Sequence, residues 1–195
     1  MKKKPIAAGT LLDQLESDPI YQARVEELDH KEAESRLLEE PLLRDLAAIG
    51  FNVKSVWFLA NSDQPYRDAL PVLLDHLQRD YPIGIKEGIA RALAVRESKF
   101  AWKRLIELYR KEQEPRMRGA LALTLSEAAQ DAAIDDLIAL AMDPRNGPSR
   151  LQLLPALKRS RNPRAFEAIQ ALAADPDFSN EINRYLRARA KRKTR

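Results

Sequence analysis

The sequence of 195 residues contains no cysteine and only two histidines, His30 and His76. Without cysteine there are no disulfides, no thiolate metal sites and no cysteine nucleophiles. The lack of cysteine also fits a reducing compartment, so we expect a cytoplasmic protein. His30 lies in an acidic stretch and His76 on a helix, where we expect it to be partly buried.

Long apolar runs and the common enzyme motifs are also missing. Three lysines near the start precede apolar residues, but Asp13 and Glu16 interrupt that run before a secretory core could form. No other run approaches membrane-spanning length, so no membrane association is expected. There is no glycine-rich phosphate loop, no His-Glu metalloprotease helix and no Gly-x-Ser-x-Gly elbow. We therefore predict a non-enzymatic protein with no catalytic residues, no metal site and no cofactor.

Charge of one sign is scarce in particular stretches, although the net charge is only +4. Residues 10–50 hold 11 acidic and 4 basic side chains, whereas residues 187–195 hold six basic side chains and no acid. We predict a flexible basic N-terminus at 1–9, an acidic N-terminal helical segment at 10–40 and a basic tail at 191–195. Such a tail is typical of a solvated chain end.

The main positive feature is a 32-residue period that begins at Arg67. Blocks 67–98, 99–130, 131–162 and 163–194 align without gaps. A constant period of this size indicates a solenoid, in which each unit is a helical hairpin that buries its apolar face on its neighbours. The third, fourth and seventh positions of the blocks are Ala69, Ala101, Ala133, Ala165; Leu70, Trp102, Ile134, Phe166; and Leu73, Leu105, Leu137, Ile169.

Each block carries two apolar patterns with helical spacing, separated by proline or glycine. We predict a solenoid over 41–190 that consists of an irregular hairpin at 41–62 and repeats at 67–98, 99–130, 131–162 and 163–190. Pro41 is expected to open a helix and Gly50 to cap it. Pro155 falls inside a helical run, where we expect a kink.

The repeats resemble the HEAT family. Ala69 to Leu73, followed by the pair Ile85-Lys86, matches the HEAT pattern of a first helix and a second helix that starts with an apolar-basic pair. Met117-Arg118 repeats the pair, Ser149-Arg150 keeps it loosely, and the last block departs from it. The resemblance to the HEAT family covers roughly residues 41–190. More narrowly, Ser55-Val56-Trp57, with residues 69–77 and 87–93, is similar to uncharacterised bacterial HEAT-repeat proteins.

This resemblance implies an all-α fold, a right-handed α–α superhelix of about five hairpins with an extra N-terminal helical segment. It also implies that the second helix of each hairpin lines the concave side. A protein partner would bind there to Arg91, Arg116, Leu123, Gln152, Arg159, Arg184 and Arg187. In contrast, the basic ladder Lys86, Arg118 and Arg150 borders the core, where a structural role is expected.

Two function classes remain open from the sequence. The first is a monomeric adaptor that recognises a protein partner of acidic character through the concave face. The alternative is a nucleic-acid-binding HEAT-like protein, including a DNA-glycosylase-like one, that uses the basic face and the C-terminal tail on phosphates and Trp57 on a base. Trp102 occupies a core position of the repeat, so packing is expected there.

Overall fold

The computed structural model describes residues 18–193, except for the side chains of residues 28–32, 192 and 193. Over this range the chain is helical and contains no strand, which confirms the all-α prediction. The chain divides into two compact units, Met1–Pro41 and Leu42–Arg195. The predicted basic N-terminus at 1–9 and the last two residues of the tail lie outside the described residues. In residues 18–193 no helix combines the length and apolar composition that crossing a bilayer requires.

The first described helix, α1, runs from Pro19 to Ala48. Asp18 Oδ1 accepts a hydrogen bond of 2.8 Å from the backbone N–H of Ile20 and so caps the start of the helix, where Pro19 has no N–H to leave free. The sequence predicts that Pro41 opens a new helix, but Pro41 lies inside α1, so this prediction is wrong. A proline inside a helix removes one backbone hydrogen bond and crowds the carbonyl four residues before it. The complete burial of Leu42 and Leu46 in the second unit favours the helical conformation that follows Pro41.

Gly50 caps the C-terminal end of α1, as the sequence predicts. Gly50 has φ of +94°, a conformation that favours glycine. Its N–H bonds to the Ala47 carbonyl, and the N–H of Phe51 bonds to the Leu46 carbonyl, both at 3.0 Å. These two bonds form a Schellman motif, which satisfies carbonyls that the end of the helix would leave free.

Short α-helices and 3-10 segments make up the rest of the second unit. The α-helices are α2 (Val56–Ala60), α3 (Leu70–His76), α4 (Ile83–Ala92), α5 (Trp102–Lys111), α6 (Pro115–Ala128), α7 (Ile134–Met142), α8 (Leu154–Arg159), α9 (Pro163–Leu172) and α10 (Ser179–Lys193). The 3-10 segments are Arg67–Ala69, Arg96–Ala101, Asp131–Ala133 and Pro144–Leu153.

The 32-residue period is visible in these bounds. Helices α3, α5 and α7 begin at Leu70, Trp102 and Ile134, one period apart, and each block contains two α-helices. The seventh position is buried in every block, at Leu73, Leu105, Leu137 and Ile169. The apolar spacing therefore predicts both the helices and the side of each first helix that enters the core.

From α2 to α8, the second helix of each hairpin packs on its counterpart in the next hairpin. Helix α4 contacts α2 on one side and α6 on the other, and α6 contacts both the 3-10 segment Pro144–Leu153 and α8. Thr124 also joins α6 to α4, because its buried hydroxyl lies 2.6 Å from the Ala90 carbonyl oxygen. We call α4, α6, α8 and α10 the second-helix row.

The third hairpin departs from the sequence-based expectation. Its second half is a 3-10 segment from Pro144 to Leu153, interrupted at Gly147, whose φ is +58°. The α-helix starts only at Leu154, so Pro155 lies in its first turn, where a missing N–H removes no intrahelical bond. The predicted kink at Pro155 is wrong for this reason.

Candidate functional site

Two of the predicted face residues, Arg91 and Arg116, meet at one buried carboxylate. The Glu87 side chain is only 8 % exposed. Its Oε1 accepts from Arg91 Nε at 3.0 Å, and its Oε2 accepts from Arg116 Nε at 2.8 Å. A buried carboxylate requires such partners, so α4 and the start of α6 are fixed relative to each other through Glu87.

Arg159 at the end of α8 is held in a similar way by α6. One guanidinium nitrogen lies 3.2 Å from Glu127 Oε1, and another donates to the Ser126 carbonyl oxygen at 2.6 Å. Both charged side chains are about half exposed. This ion pair therefore orients Arg159 more than it stabilises the fold.

The third carboxylate of the row, Glu181, belongs to α10. It accepts from Lys158 Nζ of α8 at 2.7 Å and also pairs with Arg184 one turn along its own helix. The hydrogen bond from Lys158, followed by that from Arg184, lowers the pKa of Glu181 below its usual value. Helices α8 and α10 are thus joined by an ion pair.

Glu87, Glu127 and Glu181 are the carboxylates that pair with cations of the row, and sequence reasoning missed Glu87 and Glu181. A signal was present, since Glu87 and Arg91 are four residues apart and Glu127 and Arg159 are one period apart. Five cationic side chains share these three carboxylates: Arg91, Arg116, Lys158, Arg159 and Arg184. The second-helix row is therefore less basic than its arginines alone suggest.

The other predicted face residues are not brought into this network. Leu123 is half-buried in α6, and Gln152 is exposed but belongs to the 3-10 segment instead of an α-helix. Arg187 is exposed on α10. Gly88 of α4 and Ala120 of α6 are buried.

Trp57 packs beside Gly88 at the start of the row. The Arg91 guanidinium lies 6.0 Å from the centre of the Trp57 ring, and the ring is half-buried against the core. The neighbouring Phe58 is 59 % exposed, as expected for adjacent residues of a short helix. Trp102 is also partly buried against the core, and its Nε1 donates to Asp136 Oδ2 at 2.9 Å.

Two members of the basic ladder, Arg118 and Arg150, have the structural contacts that their position at the core edge predicts. Arg150 is 3 % exposed and donates to Asp175 Oδ2 and Asp177 Oδ2, each at 2.7 Å. Arg118 donates to the Glu112 carbonyl oxygen, and Lys86 is half-buried. Arg118 and Arg150 are therefore held by partners within the chain.

His76 is completely buried, further than the partial burial expected from the sequence. Its two ring nitrogens face Asp45 and Tyr81. In the part of the chain whose side chains are described, no three His, Asp or Glu residues are close enough together to hold a metal ion.

Comparison with protein-family models, with curated proteins and with solved structures finds no match for this chain.

Proposed function

We propose that this chain is a HEAT-like solenoid, a right-handed α–α superhelix, that binds a protein partner and catalyses no reaction. The binding surface is the second-helix row with Arg91, Arg116, Leu123, Gln152, Arg159, Arg184 and Arg187. The protein acts in the cytoplasm as a monomer and needs no cofactor.

The observation that carries this proposal is the set of ion pairs along the row. Glu87, Glu127 and Glu181 each hold at least one arginine in place before any partner arrives. A partner then loses less free energy to ordering of these long side chains, because the carboxylates already restrict them. A row of oriented guanidinium groups with a half-buried leucine between them suits recognition of a folded surface or a peptide.

The charge of the row indicates the partner's chemistry. The cations of the row outnumber the carboxylates that bind them, and Arg187 adds a further exposed charge. An acidic partner would complete the pairing without leaving a buried charge unpaired. We therefore propose an acidic protein surface as the ligand.

A pull-down from cell extract tests this function, with partners identified by mass spectrometry and binding repeated with the purified proteins. The variant Arg91→Ala, Leu123→Ala and Arg184→Ala should lose the partner. The matched control Lys103→Ala, Arg110→Ala and Met142→Ala changes two cations and one apolar side chain that are exposed on first helices. Equal recovery of the partner by both variants would contradict the proposal.

The exposed cations of α10 favour nucleic acid as the second candidate. Arg187 and Arg189 lie on this helix and are exposed. Phosphate contacts would make the affinity fall steeply with salt concentration. A gel shift with short duplex and single-stranded DNA over a salt series decides the matter, since no shift at low salt would eliminate this candidate.

A further inference from the structure

Four surface recesses recur at the same position of the 32-residue period. One is lined by Leu70, one by Trp102, one by Ile134 and one by Phe166, the fourth residue of each block. The last three are contiguous, because the second and third share Gln130 and the third and fourth share Ser160. We call them the recess row and number them in chain order.

The recess row differs from the second-helix row. Its linings come mainly from the turns between hairpins and the first turns of first helices. The third and fourth recesses also include side chains of second helices, among them Glu127, Lys158 and Arg189. Of the predicted binding residues, only Arg159 also lines a recess. Binding in the recess row is therefore independent of the proposed second-helix face and is tested separately.

The charge of the linings changes along the recess row. In the first three recesses each cation has at least one carboxylate as a counterpart: Arg67 with Asp63 and Glu97, Lys99 with Asp136, and Arg96 and Arg159 with Glu127 and Asp131. The fourth recess is lined by three cations and one acid, namely Lys158, Arg161, Arg189 and Glu167, and Lys158 is already paired with Glu181 outside the lining. Positive charge thus accumulates at one end.

The fourth recess is also the largest, at about 660 Å³, and two aromatic rings line it. Arg189 lies 4.4 Å from the centre of the Phe166 ring, and Lys158 Nζ lies 5.0 Å from the centre of the Tyr185 ring. These rings hold the cations over an apolar floor. The Arg161 side chain forms no ion pair within the part of the chain that the structure describes.

We propose that the recess row binds an extended peptide segment of a partner protein, with an acidic end in the fourth recess and apolar side chains in the earlier recesses. Neighbouring helices pack about 8–10 Å apart, and an extended chain advances about 3.3 Å per residue. One ligand side chain in every three would then meet a recess. A segment of about twelve residues spans all four.

Charge favours a peptide over a nucleic acid in this row. A polynucleotide carries a phosphate at every step, and those phosphates would meet Asp63, Glu97, Glu127, Asp131 and Asp136 along the first three recesses. A peptide confines its carboxylates to the end where Lys158, Arg161 and Arg189 lie. The observed gradient matches only the second distribution.

The proposal is tested by selecting twelve-residue peptides from a randomised phage library on the immobilised full chain. Enriched peptides should carry acidic residues at one end and apolar residues at every third position before it. No enrichment, or enrichment without an acidic end, would overturn the proposal.

Fluorescence anisotropy with the best enriched peptide then locates the site. Arg161→Gln combined with Arg189→Gln should weaken binding about tenfold or more, because two charge-assisted contacts are lost. The control Lys103→Gln with Arg110→Gln removes the same charge from exposed positions of α5 and should leave binding unchanged. Equal affinities of the two double variants would overturn the site.

Two further measurements separate this site from its competitors. The variant Arg91→Ala, Leu123→Ala and Arg184→Ala should still bind the peptide. If this variant lost binding while the Arg161→Gln, Arg189→Gln variant kept it, the peptide would bind to the second-helix row instead. Single-stranded DNA of twelve nucleotides should not displace the peptide. Complete displacement of the peptide by a stoichiometric amount of DNA would show that the recess row binds nucleic acid and would overturn the proposal.

Discussion

His76 Nε2 lies 2.9 Å from Asp45 Oδ2, a contact that ties helix α3 to the last turns of α1. The imidazole is completely buried, and its Nδ1 lies 2.7 Å from the Tyr81 hydroxyl, so both polar atoms of the ring are satisfied. The hydrogen bond with His76, together with the charges of His76, Arg44 and Arg79, lowers the pKa of Asp45 from its ordinary value of 3.8.

Because the folded pKa of Asp45 is the lower one, its contribution to stability is complete above pH 3.8 and is lost as the pH falls through the folded value. We expect Asp45→Asn to lower the free energy of unfolding at pH 7 and to flatten the acid limb of its pH dependence. Urea unfolding from pH 7 to pH 2 measures both. Asp75→Asn changes an exposed carboxylate of α3, and an equal effect of that control would contradict the role of the buried imidazole.

Gly88→Ala should destabilise the protein by about 1–3 kcal/mol, because the new methyl group overfills a packed site. A Cβ at this position would lie 2.6 Å from Val56 Cγ1 and 3.0 Å from Trp57 Nε1. Gly119→Ala is the matched control, since nothing lies within 4 Å of its Cβ and alanine favours a helix by up to about 1 kcal/mol. Thermal unfolding followed by tryptophan fluorescence should therefore give shifts of opposite sign. A stabilised Gly88→Ala would refute the close packing.

Arg150→Met should cost about 2–4 kcal/mol, because Asp175 and Asp177 lose the buried guanidinium that holds them. The Arg150 hydrogen bond is also the main reason that the pKa of Asp175 is lowered, so the variant should raise that pKa in a carboxyl NMR titration. The ion pair of Arg145 with Asp143 serves as the exposed reference, and Arg145→Met should cost under about 1 kcal/mol. Similar losses in both variants would argue against the special position of Arg150.

Thr124→Val should cost about 1 kcal/mol, because the buried hydroxyl lies within hydrogen-bond distance of two carbonyl oxygens, those of Ala90 and Ala120. Nearby in the same helix, Ser126 Oγ is buried and has no hydrogen-bond partner in the described part of the chain. Ser126→Ala should therefore be neutral or stabilising. Chemical unfolding measures the stability of both variants. A Ser126→Ala variant less stable than Thr124→Val would contradict these assignments.

The period predicted the fold because it reports on burial, which is the same physical requirement in every hairpin. Leu73, Leu105 and Leu137 recur one period apart, and all three are fully buried. Gly50 likewise predicted the end of a helix, since few other residues adopt a φ of +94° without strain. Local rules therefore succeeded where one residue decides the outcome.

The remaining features depend on contacts between segments that are distant in sequence. Glu87 appears in the sequence as an ordinary helix residue, and only the packing of α4 on α6 brings Arg116 to it. Asp45 and His76 are 31 residues apart, with no pattern that couples them. The kink predicted at Pro155 is absent because Gly147 interrupts the preceding segment and the α-helix begins only at Leu154.

The 3-10 segment from Pro144 to Leu153 has a consequence for how the protein opens. Its hydrogen bonds have poorer geometry than those of an α-helix, and α8, which follows it, has only six residues. In a chain of stacked repeats, cooperativity passes only between neighbours, so a weak unit uncouples the units on either side. We expect hydrogen exchange to show the last hairpin, residues 163–193, fraying as a separate foldon while residues 56–142 remain protected.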